Sequence, residues 1–140
     1  MAGYHYKLQI VPDSTLEIVG EEYWNDEQPQ PDMLVEFRGL LPKDTTWGDT
    51  DEFRSDENYS VLYIWWEFNK VWSVQFEYAP VVDGEDFLLD KILAICKKYG
   101  CVLYSEETKS KISPCKIELW QDFRTCSRFQ IYENRLSEFN

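Results

Sequence analysis

The 140-residue chain reads as an α+β domain: a largely antiparallel sheet around a central aromatic-rich hairpin at 61–78, with one main helix at 84–99 packed on it. Three patterns predict this. Two runs of β-branched and aromatic residues flank Asn69-Lys70, an apolar stripe at helical spacing follows them, and the N-terminal segment alternates with a period of two.

In chain order, residues 4–11 place Tyr4, Tyr6, Leu8 and Ile10 on one side and His5, Lys7, Gln9 and Val11 on the other, the pattern of a half-buried strand. Pro12-Asp13-Ser14 breaks it, and residues 15–19 form a possible second strand. Pro29, Pro31 and many acids make 21–32 an exposed loop, and alternation returns over 33–38 as a strand. Residues 41–60, with Pro42, Gly48 and six acids, read as a second long loop.

The first hairpin strand, from Val61, is apolar on both faces and is expected to be central and covered on both sides. In the return strand Trp72, Val74, Phe76 and Tyr78 share one face and Ser73, Gln75 and Glu77 the other. Asp83 is a good N-cap for the helix, Leu88, Leu89, Ile92, Leu93, Ile95, Cys96 and Tyr99 make its apolar stripe, and Gly100 stops it. Residues 101–104 return as a strand, 105–114 as a polar loop, and 115–120 as another strand. The tail holds either an edge strand at 128–132 or a short helix at 133–139. No repeat or linker divides the chain, so 1–140 is one globular domain.

Charge is the sharpest feature of the composition. The net charge is −12, and residues 12–60 hold fourteen acids against Arg38, Lys43 and Arg54, a net of −11. The remaining residues are nearly neutral. Such a field repels nucleic acid and anionic lipid and steers a cationic protein. No apolar run reaches the roughly 18 residues of a membrane span, and 1–11 lacks the pattern of a signal peptide, so a cytoplasmic protein is expected.

No motif carries catalysis or a cofactor. Cys96, Cys101, Cys115 and Cys126 lack zinc-ligand spacing and read as reduced thiols, with Cys96 and Cys101 packed as small hydrophobes. His5 is the only imidazole, and the glycines are isolated, which leaves no phosphate loop. The acids from Asp49 to Glu57 lack the glycine and terminal glutamate of a calcium loop and read as a solvated segment. No metal or cofactor is expected.

What remains is the acidic segment with its interleaved aromatics. Interfaces are commonly anchored by Trp and Tyr inside a polar rim. The candidate partner-binding residues are Glu21, Glu22, Trp24, Asp26, Glu27, Trp47, Asp49, Asp51, Glu52, Asp56 and Glu57. They predict docking on a basic protein, by a monomer or a dimer. Two alternatives compete: a small-molecule binder or enzyme with a pocket lined by Trp66, Trp72 or Phe76, and a nucleic-acid mimic whose carboxylates imitate phosphates.

In size, in acidity and in its 61–104 pattern of hairpin, helix and short strand ending Val102-Leu103-Tyr104, the chain resembles the small immunity proteins of bacterial toxin systems. The resemblance implies an α+β inhibitor without catalytic residues that blocks a basic toxin domain. It supplies no site residue.

Overall fold

The computed structural model describes residues 6–13, 24, 27–40, 43–47, 50–54, 60–79, 87–126, 129–131 and 133–134, with the backbone alone for 43–47, 54 and 87. Ten elements follow in order: β1 Tyr6–Pro12, α1 Pro31–Arg38, β2 Lys43–Trp47, β3 Thr50–Arg54, β4 Val61–Glu67, β5 Lys70–Tyr78, α2 Phe87–Lys98, β6 Cys101–Ser105, β7 Ser110–Ile112 and α3 Lys116–Phe123. The strands form one seven-stranded sheet, order β2-β3-β4-β5-β1-β6-β7, with every neighbouring pair antiparallel. The α+β class, the central hairpin and the helix after it are therefore present. Residues 84–86, the start of the expected helix, and the possible strand at 15–19 lie outside the described residues.

Register explains the core. Phe53, Leu62, Phe76 and Leu8 stand opposite one another across four strands, and Ile10 faces Leu103, which faces Ile112. These side chains share one sheet face and all are buried. Met33 of α1 meets Cys101 on this face, with Sδ and Sγ 3.6 Å apart, and Phe123 of α3 stacks on Tyr6 at 5.0 Å. Between them α2 contributes Leu89, Ile92, Leu93, Ile95 and Cys96. Each fully buried Leu, Ile or Phe stabilises the fold by about 1.5–3 kcal/mol relative to exposure.

The opposite face carries a polar row. Glu52, Tyr63, Gln75, Gln9, Tyr104 and Lys111 are cross-strand neighbours in that order. The Gln9 amide donates to Gln75 Oε1 at 3.0 Å and to Glu106 Oε1 at 3.4 Å. Gln9 is nonetheless buried, as is Val11 beside it, so β1 is buried well beyond the half expected of it.

Several expectations change. Residues 33–38 are helical, not extended: Met33, Leu34 and Phe37 are buried while Val35 is 64% exposed, a helical rather than an alternating pattern. Pro31 at the first turn, Asp32 after it and Arg38 in the last turn suit a helix. Residues 116–120 belong to α3, with Cys115 at its N-cap, and Leu119 and Phe123, four apart, are its buried pair. The acidic stretch 41–60 contains the strand pair β2–β3, and the loop 105–114 contains β7. Residues 129–131 and 133–134 are helical, so no edge strand forms there.

The hairpin itself differs in two ways. Its two-residue turn is Phe68-Asn69, both at positive φ, one position earlier than expected. A bulge then pairs Trp65 with Ser73 but Trp66 with Val71. Trp72 becomes the extra residue, and Val71 takes the core position it was expected to hold. On the face opposite the core, strand β4 is covered at Val61, partly covered at Tyr63 and open only towards Trp65, which is 40% exposed.

Candidate functional site

Antiparallel order sends the strand termini to two ends of the sheet. At one end lie the last residue of β2 (Trp47), the start of β3 (Thr50), the β4–β5 turn, the end of β1 (Pro12) and the start of β6 (Cys101). Trp47 pairs with Thr50, which pairs with Trp65. The acidic hairpin and the aromatic hairpin therefore finish side by side.

Phe68 is the most unusual residue of this end. Its side chain is 90% exposed, and its φ is 53°. A bulky side chain disfavours that left-handed region, where Gly or Asn is at ease, by roughly 1–2 kcal/mol. Trp65, three residues earlier, is the other exposed aromatic of the hairpin. Trp66, on the opposite face from Trp65, is engaged instead. Its indole N–H donates to Asp51 Oδ2 at 3.2 Å, and the Arg38 guanidinium lies 5.6 Å from its ring centre.

Behind the tip, Trp24 and residues 27–30 pack against the strand ends. The Trp24 indole N–H donates to the Ile10 carbonyl at 3.0 Å, and the ring is 2% exposed. Gln28 acts as a one-residue substitute for a strand: its amide N–H reaches the Val71 carbonyl at 3.0 Å, and the Val71 N–H reaches Gln28 Oε1 at 2.8 Å. A cavity of about 250 Å³ opens between this segment, Pro12 and the α2–β6 turn. Gly100 in that turn has φ +68°, a conformation that favours glycine. Beside it, Glu36 accepts from the Tyr99 hydroxyl and pairs with Lys98 Nζ at 3.2 Å, so its carboxyl sits below the usual range, first through the Tyr99 bond and then through Lys98.

Comparison with protein families, with curated proteins and with solved structures finds no match to this chain.

The predicted partner-binding residues meet different fates. Glu27 is exposed at the open end, and Trp47 closes β2 there. Asp51 is half-buried against Trp66. Glu52 is buried at 6% exposure on the polar sheet face, and Trp24 is a core ring. Both lose the exposed role assigned to them, because neighbouring strand residues point to opposite faces and because the indole N–H is used internally. Glu21, Glu22, Asp26, Asp49, Asp56 and Glu57 lie outside the described residues, as does His5. The stretch Thr50–Arg54 is a strand, so Asp51 and Glu52 diverge rather than converge as calcium ligands would. Among the described residues, no three His, Cys, Asp or Glu side chains gather to hold a metal.

The pocket imagined around Trp66, Trp72 and Phe76 does not correspond to this cavity, which none of the three lines. Phe76 is fully buried. Sequence reasoning passed over Phe68. A turn expected at Asn69-Lys70 leaves Phe68 in the strand; the turn one residue earlier puts it at the tip. Three of the thiols are poor nucleophiles: burial pushes Cys101 up to about 11 and Cys126 to about 12, with neighbouring carboxylates adding to both, and burial also raises Cys96. No described helix is long and apolar enough to cross a membrane.

Proposed function

We propose that this chain is a non-catalytic binding protein that docks the open end of its sheet onto a cationic protein and occludes that protein's working surface, as immunity proteins do to toxin domains. The observation that carries this reading is Phe68: a large apolar ring held outside the molecule, in a backbone conformation that disfavours it, at the end of the sheet where the acidic hairpin also terminates. Local rules are broken most often at functional positions. The net of −11 over residues 12–60 supplies long-range attraction, while Phe68 and Trp65 supply the apolar contact.

Capture from cells that produce this protein tests the reading. Wild-type bait is expected to retain one basic protein that elutes with salt, and Phe68→Ala bait is expected to retain at least about tenfold less, the loss typical of an aromatic anchor. Capture of no basic protein, or equal capture by both baits, overturns it.

A further inference from the structure

The cavity behind the hairpin tip has the composition of a receptor for a single positive side chain. Its lining includes Trp24, Glu27, Gln28, Gln30, Tyr99 and Cys101, and its volume is about 250 Å³. That is below the roughly 300–1,000 Å³ of pockets for drug-sized ligands. Resting on the docking reading above, we propose that this cavity receives an arginine side chain of the cationic partner, with the Glu27 carboxylate facing the guanidinium and Tyr99 offering an aromatic surface.

Three further observations support the assignment. The cavity wall lies in a negative field: after burial, the largest influences raising the Cys101 thiol are the carboxylates of Glu27 and then Asp13. Asp32 also acts on Tyr99. The nearby cation Lys98 is drawn to Glu36 and sits 5.4 Å from the Tyr99 ring centre. The chain thus already holds one of its own cations between a carboxylate and this ring, the same chemistry the cavity offers a visitor. Finally, the walls are fixed before any ligand arrives. The Gln28 amide is tied to Val71 and to the Trp24 carbonyl (2.7 Å), and Trp24 is tied to Ile10. Preorganised walls avoid the ordering penalty on binding. Arginine suits the site better than lysine because its planar, weakly hydrated head stacks on rings and pairs with carboxylates through two N–H groups.

The test is a titration of the full-length protein with N-acetyl-arginine methylamide, followed by amide and indole NMR. The expected result is a saturable shift of the Trp24 indole, the Gln28 and Gln30 side-chain amides and the Gly100 amide. One exposed ion pair plus one cation–π contact gives a Kd of roughly 30–200 mM. Glu27→Gln, an exposed position that leaves the core intact, is expected to weaken binding by about two- to fivefold, with Asp13→Asn giving a smaller loss. The isosteric, uncharged citrulline amide is expected to leave all four signals in place. Equal shifts with citrulline, no saturation at these residues, or unchanged affinity in Glu27→Gln overturns the proposal. Capture of a basic protein through Phe68 without any response at these four groups overturns the pocket and leaves the docking reading standing. Saturable arginine binding with no basic protein captured keeps the pocket and removes the docking reading.

Discussion

The two ends of the sheet are built on opposite plans. At the far end, where β1 and β7 begin and β5 and β6 finish, aromatic rings turn inward: Tyr6 stacks on Phe123, which meets Trp120 and Phe129 edge-on at 5.4 Å each. The Tyr6 hydroxyl donates to Asp122, and Thr108 Oγ1 donates to the other oxygen of that carboxylate at 2.8 Å. Ser60 accepts the Ala79 N–H at 3.0 Å. At the open end Phe68 and Trp65 turn outward while Trp66 is held by Asp51, and the carboxylates of Glu27 and Asp13 bear on a cavity wall. The difference lies in where the rings point: one end closes over packed aromatics, and the other leaves Phe68 and Trp65 exposed.

The largest effect is expected at the closed end. Phe123→Ala removes a fully buried ring that touches three other rings and is expected to destabilise the protein by about 3–5 kcal/mol in denaturant titrations. A loss below about 1 kcal/mol would mean that this end is not the lock.

Alkaline pH probes the interior as a whole. Cys96, Cys101, Cys126 and Tyr6 all have folded-state values raised by burial, with Asp122 adding to the rise at Tyr6. Their contribution is therefore complete below the unfolded values and drains away as pH rises from those towards the folded values. Under reducing conditions stability is expected to fall above about pH 9, at about 1.4 kcal/mol per pH unit for each thiol that ionises only on unfolding. Stability that stays flat between pH 8 and 11 would contradict their burial. Glu36 runs the other way: its lowered folded value gives a contribution present above the ordinary carboxylate value and lost in acid.

The smallest effect has the opposite sign. Phe68→Gly relieves the left-handed backbone at the tip and is expected to raise stability by about 0.5–1 kcal/mol, seen as a higher denaturant midpoint with an unchanged slope. A destabilised variant would make Phe68 part of the fold rather than a device for binding.

How much of this was legible in the sequence depends on element length and on what each side chain reports. The hairpin and α2 declared themselves because their periodic patterns are long. Helices α1 and α3 span eight residues each, and over five or six residues periods of 2 and 3.6 coincide. Pro31, with Asp32 behind it, and Pro114 just before α3 were the signals that outweigh such a window. Strands β2 and β3 were hidden by acids of low strand propensity, although Gly48-Asp49 between them is a hairpin signature. The burial of Trp24 was not legible at all, since its neighbours are polar and its hydrogen-bond partner Ile10 is a strand away. The bulge at Trp72 depends on strand pairing, which no local pattern reports.

The most direct measurement places a photo-reactive benzoylphenylalanine at position 68 and, separately, at position 117. Ile117 is 70% exposed on α3, away from the hairpin tip, and so serves as an exposed control. In cells that produce this protein, position 68 is expected to yield one covalent adduct with a basic protein and position 117 none. Equal adducts from both positions, or none from position 68, would contradict an open end built for docking.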